Sequence, residues 1–301
     1  MLRTKILNIM NKSSQLLRQY SSEPESTILI DKVGKVTTIG INRPDKRNCV
    51  DTHTAEKLRQ AIQDFENDTS VYAGVLYGIG GNFCAGYDLN ELSQLDETRV
   101  LDTLHEEGTM GPTLRLIKKP LVAAVSGYAV AGGFELALMC DLRVMEETAV
   151  VGVYNRRFGV PLIDGGTVRL QAMVGLSRAL DLILTGRSLN AKEAFDWGVA
   201  NRIVACGTGL GQAINLAASL VKFPQGCLHA DRESTYNAAY NAVYSELTKF
   251  EQNNAKGILK EGIEGAKKFM SGLGRHGKAH NLTEKDICEW EKEYKNTKSK
   301  L

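Results

Sequence analysis

The segment Ala129-Val-Ala-Gly-Gly-Phe-Glu-Leu-Ala-Leu-Met-Cys140 carries a single charge, Glu135, and offers no polar face on which to place it. A helix that is apolar all round is a buried helix, so this stretch must be covered by protein on every side. The strand-like run Pro120-Leu-Val-Ala-Ala-Val125 leads straight into it. Glu135 is thereby carried into the interior or into a cleft. A buried carboxylate is costly and persists where it is paired, hydrogen-bonded or used for chemistry. Gly132 and Gly133 form the first turn of the helix, where unbonded N–H groups and the helix dipole favour negative charge. Two uses fit these residues: a structural carboxylate beside a close packing contact, or an acid/base group one turn from an anion-binding backbone.

The flanking pattern sets the fold class. Thr27-Ile-Leu-Ile30 and Val36-Thr-Thr-Ile-Gly-Ile41 are β-branched runs around Asp31-Lys-Val-Gly34, which predicts a hairpin. Asp51 or Thr52 opens an amphipathic helix with Leu58, Ile62 and Phe65 on one face. Val71 to Tyr77 is an apolar strand, followed by the glycine-rich Gly78-Ile-Gly-Gly-Asn-Phe-Cys-Ala-Gly-Tyr-Asp88 and a charged, helix-prone stretch. Beyond the Glu135 segment, 142–145 and 150–153 read as strands, and 166–174 and 178–184 as helices. Asn190-Ala-Lys-Glu193 reads as a capping box. From Gly211 the pattern is mainly helical to about Met270, with a charged tail from Thr283. Strands alternating with helices indicate α/β layers with crossovers, whose ligand sites gather where strands end and helices begin. Both glycine-rich segments occupy such positions. A main domain is expected at 24–220 and a helical portion at 221–301, divided at Lys222-Phe-Pro-Gln-Gly226.

Composition narrows the function classes. A net charge of +2 provides no global basic field of the kind a nucleic-acid binder needs. No apolar run reaches the roughly 20 residues that span a bilayer. The six cysteines, Cys49, Cys84, Cys140, Cys206, Cys227 and Cys288, are scattered without metal-ligand spacing, and no metal site is expected. Residues 1–22 contain Arg3, Lys5, Lys12 and Arg18, several serines and no acid, the composition of a mitochondrial transit peptide, with processing expected near Arg18-Gln-Tyr-Ser-Ser22. A mitochondrial matrix location is the corresponding expectation.

Asn42-Arg-Pro-Asp-Lys-Arg-Asn48, Asn82-Phe-Cys-Ala-Gly-Tyr-Asp88 and Gly127-Tyr-Ala-Val-Ala-Gly-Gly-Phe-Glu-Leu-Ala-Leu-Met-Cys-Asp141 together closely resemble three signature segments of the crotonase, or enoyl-CoA hydratase/isomerase, superfamily. Gly165-Gly-Thr-Val-Arg-Leu170, Leu184-Thr-Gly-Arg187 and Ala191 to Val199 fit the same family in order and spacing, so the resemblance covers roughly residues 25 to 275. It implies an α/β, crotonase-like spiral of ββα units with a helical C-terminal region used in trimerisation. A homotrimer or homohexamer acting on an acyl-CoA substrate is expected. No cofactor is implied, because the CoA thioester is itself the substrate.

The resemblance also implies residue roles. The backbone N–H groups of Tyr87 and Gly132 would polarise the thioester carbonyl and stabilise an enolate, with Glu135 as general acid/base. The second glutamate of the family's hydratases falls at Asn155 here, which cannot be a general acid or base at neutral pH. Three readings follow: a slow or restricted hydratase in which Asn155 positions water; an isomerase in which Glu135 alone moves a proton from the α to the γ carbon; or a second carboxylate supplied by Asp164. For Asp164, a turn role before Gly165 and Gly166 is favoured. A catalytically weak acyl-CoA-binding homologue or partner subunit is the alternative to an enzyme. Arg47, Asn48, Cys49, Ala85 and Asp88 are expected near CoA, with Phe269, Lys268 and Arg275 of the C-terminal region closing over it.

Overall fold

The computed structural model describes residues 26–273 except 97, 100–102, 241–242, 244, 247, 250–252, 254–255 and 257–258. The expected transit segment 1–22, Arg275 and the charged tail lie outside the described residues.

Strands β1 (Ile28–Val33) and β2 (Val36–Ile41) form the expected antiparallel hairpin, turned at Gly34 with φ 61°. Helix α1 (Thr52–Asn67) starts where Asp51 accepts a hydrogen bond from the Thr54 amide, and it buries Leu58, Ile62 and Phe65. The chain continues through β3 (Ala73–Gly78), the short α2 (Leu89–Leu92), β4 (Leu121–Val125), β5 (Tyr128–Val130) and α3 (Gly132–Met139). Next come β6 (Leu142–Glu146), β7 (Val150–Gly152), a 3-10 turn over Tyr154–Phe158, α4 (Gly166–Val174) and α5 (Leu176–Thr185). The remaining elements are β8 (Ser188–Asn190), α6 (Ala191–Asp196), β9 (Arg202–Val204), α7 (Gly209–Leu220), α8 (Gln225–Tyr240) and α9 (Leu259–Met270). Half of the capping box forms: Asn190 accepts from the Glu193 amide at 2.8 Å, while the Glu193 carboxylate pairs with Arg187 at 2.6 Å.

A six-stranded sheet runs β1-β2-β3-β4-β6-β9, parallel after the hairpin, and a three-stranded sheet runs β5-β7-β8. Isolated parallel bridges, Val50 to Tyr87 and Cys84 to Ala129, extend the small sheet across the loops. Each turn of the chain thus lays one strand in the large sheet, one strand or bridge beside the small sheet, and then a helix. The succession is β2, Val50, α1; β3, Cys84 to Tyr87, α2; β4, β5, α3; then β6, β7, α4. This is the spiral of ββα units. The large sheet is covered on both faces, which is why its central strands are continuously apolar rather than alternating. Leu121, Ala123 and Val125 face the main core with Phe65 and Leu136, while Val122 and Ala124 face Ala213 and Ala217 of α7.

Helix α3 is buried along its whole length. Its C-terminal carbonyls at Cys140 and Ala137 accept from buried Arg143 at 2.6 and 3.4 Å, and the same guanidinium reaches the Val199 carbonyl at 2.5 Å. Helix α7 ends at Leu220 and α8 begins at Gln225. The C-terminal portion is not set apart, however. Leu259, Ile263 and Ala266 of α9 form a small core with Leu92 of α2, and Gly265 lies against the Phe158 carbonyl so closely that no Cβ fits there.

Candidate active site

One cavity of about 850 Å³ is lined by Arg47, Cys49, Ala85, Tyr87, Asp88, Gly132, Glu135, Asn155, Asp164 and Phe269. Residues from six separate stretches of the chain are therefore brought together at the ends of strands and the beginnings of helices.

One wall is backbone. Val50 donates to the Gly86 carbonyl at 2.9 Å and the Asp88 amide to the Val50 carbonyl at 2.8 Å, which leaves the intervening Tyr87 amide turned the other way, with no acceptor among the described residues. The Gly132 amide, at the first position of α3, likewise has none. Ala131 just before it is held at φ 55°, ψ −132°. L residues rarely adopt that conformation, and holding one there costs about 1–3 kcal/mol. Its own amide is fixed by the Gly152 carbonyl at 2.9 Å, so β7 sets the orientation of the peptide that follows. The two loops touch: a Cβ on Gly86, whose φ is 99°, would lie 2.9 Å from the Ala131 Cβ and 3.2 Å from the Gly132 nitrogen. Only glycine fits there.

The opposite wall is made of side chains. Glu135 is 1% exposed, and its Oε1 accepts the amides of Asp164 at 3.0 Å and Gly166 at 2.9 Å. A Cβ at Gly166 would meet that oxygen at 2.8 Å, which explains the second glycine of the pair. Asp164 lies in the bend before Gly165 and Gly166, as expected, and its side chain is turned inward. It is 3% exposed, and its Oδ1 accepts the amides of Thr109 at 2.8 Å and Met110 at 2.9 Å together with the Thr113 hydroxyl. Burial pushes its carboxyl above the usual carboxylate range, against the pull of those donors and of the Arg169 guanidinium. Asn155 occupies the position expected for a second glutamate; its Nδ2 donates to the Pro161 carbonyl at 3.5 Å and its buried Oδ1 has no partner among the described residues.

The model of the enoyl-CoA hydratase/isomerase family matches residues 31–273. The chain belongs to that family. It is 31% identical to a probable mitochondrial enoyl-CoA hydratase of Dictyostelium discoideum over 80% of this chain and 86% of the relative. Among solved structures, an enoyl-CoA hydratase from Mycobacterium tuberculosis H37Rv is similar with TM-score 0.68 and 31% identity, covering 77% of this chain and 89% of the other. A carnitinyl-CoA dehydratase from Mycobacterium avium 104 is similar with TM-score 0.71 and 31% identity, covering 81% and 96%. The fold is the crotonase fold, and the protein is an enzyme of the hydratase/isomerase family.

In this hydratase/isomerase the residues expected near CoA divide. Arg47 lines the cavity in a left-handed conformation, its guanidinium 5.8 Å from the Tyr128 ring. Cys49 also lines it, its thiol pushed up to about 11 by burial and by Asp88, so it remains a neutral thiol. The Ala85 amide is spent on the Arg47 carbonyl at 3.1 Å. Asp88 is committed to Arg43 and Lys46, each at 3.0 Å; burial works against ionisation, but those two cations hold its carboxyl below the usual range. Asn48 is a correction. It is fully buried, accepts the Arg43 amide, and donates to the carbonyls of Ile79 and Asn82, so it shapes the loop and does not line the cavity. Phe269 lines the cavity edge-on to Phe158 at 5.2 Å. Sequence reasoning missed Thr109 and Thr113, which sit in a stretch of turns with no motif. It also gave no role to Arg169, which donates to the carbonyls of Asp164 and Thr113 from within a quoted motif.

Proposed function

We propose that the protein moves a proton on an enoyl-CoA thioester, with the carbonyl oxygen held by the Tyr87 and Gly132 amides and Glu135 as the base. The observation that carries this reading is the placement of two unengaged amides and one buried carboxylate in a single cavity. Such preorganised donors supply about 2.7–4 kcal/mol each toward a developing oxyanion in other enzymes. Glu135 takes a proton from the α carbon, the electron pair is delocalised as an enolate, and the same carboxyl returns the proton at the γ carbon. The net change is migration of a β,γ double bond to α,β. Isomerisation fits best because Asn155 replaces the second carboxylate and the Asp164 Oδ1 is committed to the Thr109 and Met110 amides and the Thr113 hydroxyl. The unpaired Asn155 Oδ1 favours hydration as a second reading, since it can accept a hydrogen bond from water.

This chemistry calls for no metal or cofactor. A mitochondrial matrix location accompanies it, supported by the composition of residues 1–22 and by the mitochondrial relative. So does a homotrimer or homohexamer, supported by the exposed row Leu176, Leu180 and Leu184 on α5.

The test is turnover of crotonyl-CoA and of a β,γ-enoyl-CoA by wild type and Glu135→Gln. The variant should lose ~10²–10⁴ in kcat on whichever substrate is used. Acyl-CoA binding without turnover, unchanged in Glu135→Gln, would identify a binding homologue or partner subunit instead.

A further inference from the structure

Asp164 is engaged from three sides at once. Its amide donates to the Glu135 Oε1 at 3.0 Å, its carbonyl accepts from the Arg169 Nη1 at 2.8 Å, and its Oδ1 accepts the amides of Thr109 and Met110 and the Thr113 hydroxyl. Arg169 donates to the Thr113 carbonyl as well, which ties the same two stretches a second time. The turn is shaped around that one oxygen: Gly108 stands at φ 119°, and a Cβ there would run into the Thr113 Oγ1 and lie 2.8 Å from the Asp164 Oδ1. Residues 103–120 belong to no helix or strand, so the Thr109 and Met110 amides have no ladder partners and a side-chain oxygen satisfies them instead.

That turn carries Met110, which is fully buried and lines the cavity. A Cβ on Gly132 would stand 2.8 Å from both the Met110 Cγ and Sδ, so the Met110 side chain bears directly on the α carbon of a residue whose amide faces the thioester. Gly132 follows Ala131, whose φ of 55° is strained, and such a conformation persists only where the surroundings over-determine it. Gly86 closes on the Gly132 nitrogen and Met110 on its α carbon. The side chain of Asp164 thereby reaches the oxyanion donor through Met110, while its main chain reaches the base directly.

Resting on the proposed function, we infer that Asp164 is a positioning residue, the joint that holds the Gly132 amide and the Glu135 carboxylate in register across the cavity. In this role it touches no reacting atom; it sets where the two groups that do so stand. The property it needs is an acceptor oxygen at the Oδ1 position, which an asparagine keeps and an alanine lacks. Misplacing catalytic groups by about 1 Å can cost ~10²-fold in rate.

The experiment compares wild type with Asp164→Ala and Asp164→Asn in turnover of a β,γ-enoyl-CoA and in calorimetric binding of two ligands. These are butyryl-CoA and acetoacetyl-CoA, equal in acyl length, the second able to bind as an enolate because its α carbon is acidic. Wild type should bind acetoacetyl-CoA at least about tenfold more tightly. Asp164→Ala should lower kcat by ~10²-fold with KM changed by no more than about threefold, and should bring the binding ratio towards one. Asp164→Asn should recover most of both, whereas a merely structural residue would lower Tm and leave the ratio alone. Met110→Ala, which withdraws the contact with Gly132 and spares Asp164, should narrow the same ratio, and it decides the matter if Asp164→Ala does not fold. A native ratio in Asp164→Ala or in Met110→Ala, or no recovery in Asp164→Asn, overturns this inference and leaves the proposed function standing. Absence of any preference for acetoacetyl-CoA in wild type overturns the proposed function as well.

Discussion

The two walls of the cavity are made of different materials. The loops at 84–87 and 130–133 present main-chain amides, held by sheet bridges, a strained Ala131 and glycines that admit no Cβ. The wall from Thr109 to Asp164 presents side chains held by amides and carbonyls of neighbouring turns. A backbone wall performs one task, the binding of an oxyanion, whatever side chains surround it. A side-chain wall can be rewritten one residue at a time. The difference teaches where the shared chemistry of this family resides in this chain and where its individual reaction is decided.

Breaking the backbone wall should therefore have the larger effect. Gly86→Ala forces a Cβ into the Ala131 methyl at a φ of 99°, and displacing the adjoining amide should lower kcat by ~10²–10³ with the chain still folded. Circular dichroism and steady-state kinetics check it, and a variant with native kcat would remove the amides from the mechanism. Rewriting the side-chain wall should change the reaction instead of abolishing it. Asn155→Glu supplies a second carboxylate, and crotonyl-CoA hydration should rise by about tenfold or more. No rise would show that the missing acid is not what limits hydration.

A smaller effect separates the walls by pH. Asp88 is paired with Arg43 and Lys46 beneath the backbone wall, and its folded-state pKa is depressed. That pairing contributes stability above the unfolded carboxylate pKa of about 4, and the contribution is lost as pH falls through the depressed folded value. Asp88→Asn should lower the Tm at pH 7 and flatten its fall between about pH 5 and pH 2. Parallel wild-type and variant curves would show that Asp88 contributes nothing through its charge.

The backbone wall was the more legible in the sequence. Glycine at positions 86, 132 and 133 reports close approach directly, and an all-apolar helix around Glu135 reports burial without any partner being known. The larger elements followed from periodicity, and α1 and α6 from their caps. Three-residue strands such as β5 and β8 are too short to show a period, so the small sheet went unread. The partners of Asn48 and Asp164 stayed hidden for a common reason. A polar residue beside a turn looks the same whether it faces solvent, ligand or buried amides, and only the folding of distant segments decides among them. The Ile79 and Asn82 carbonyls claim Asn48, and Thr109, Met110 and Thr113 claim Asp164.

Glu135 is moored to two peptide groups, one at Asp164 and one in the first turn of α4. Its reach is consequently short, and the carbons that exchange protons must be delivered to it by the bend of the bound thioester. Regiochemistry in this enzyme is then a matter of substrate posture: the depth to which the acyl chain seats selects which carbon meets a stationary acid.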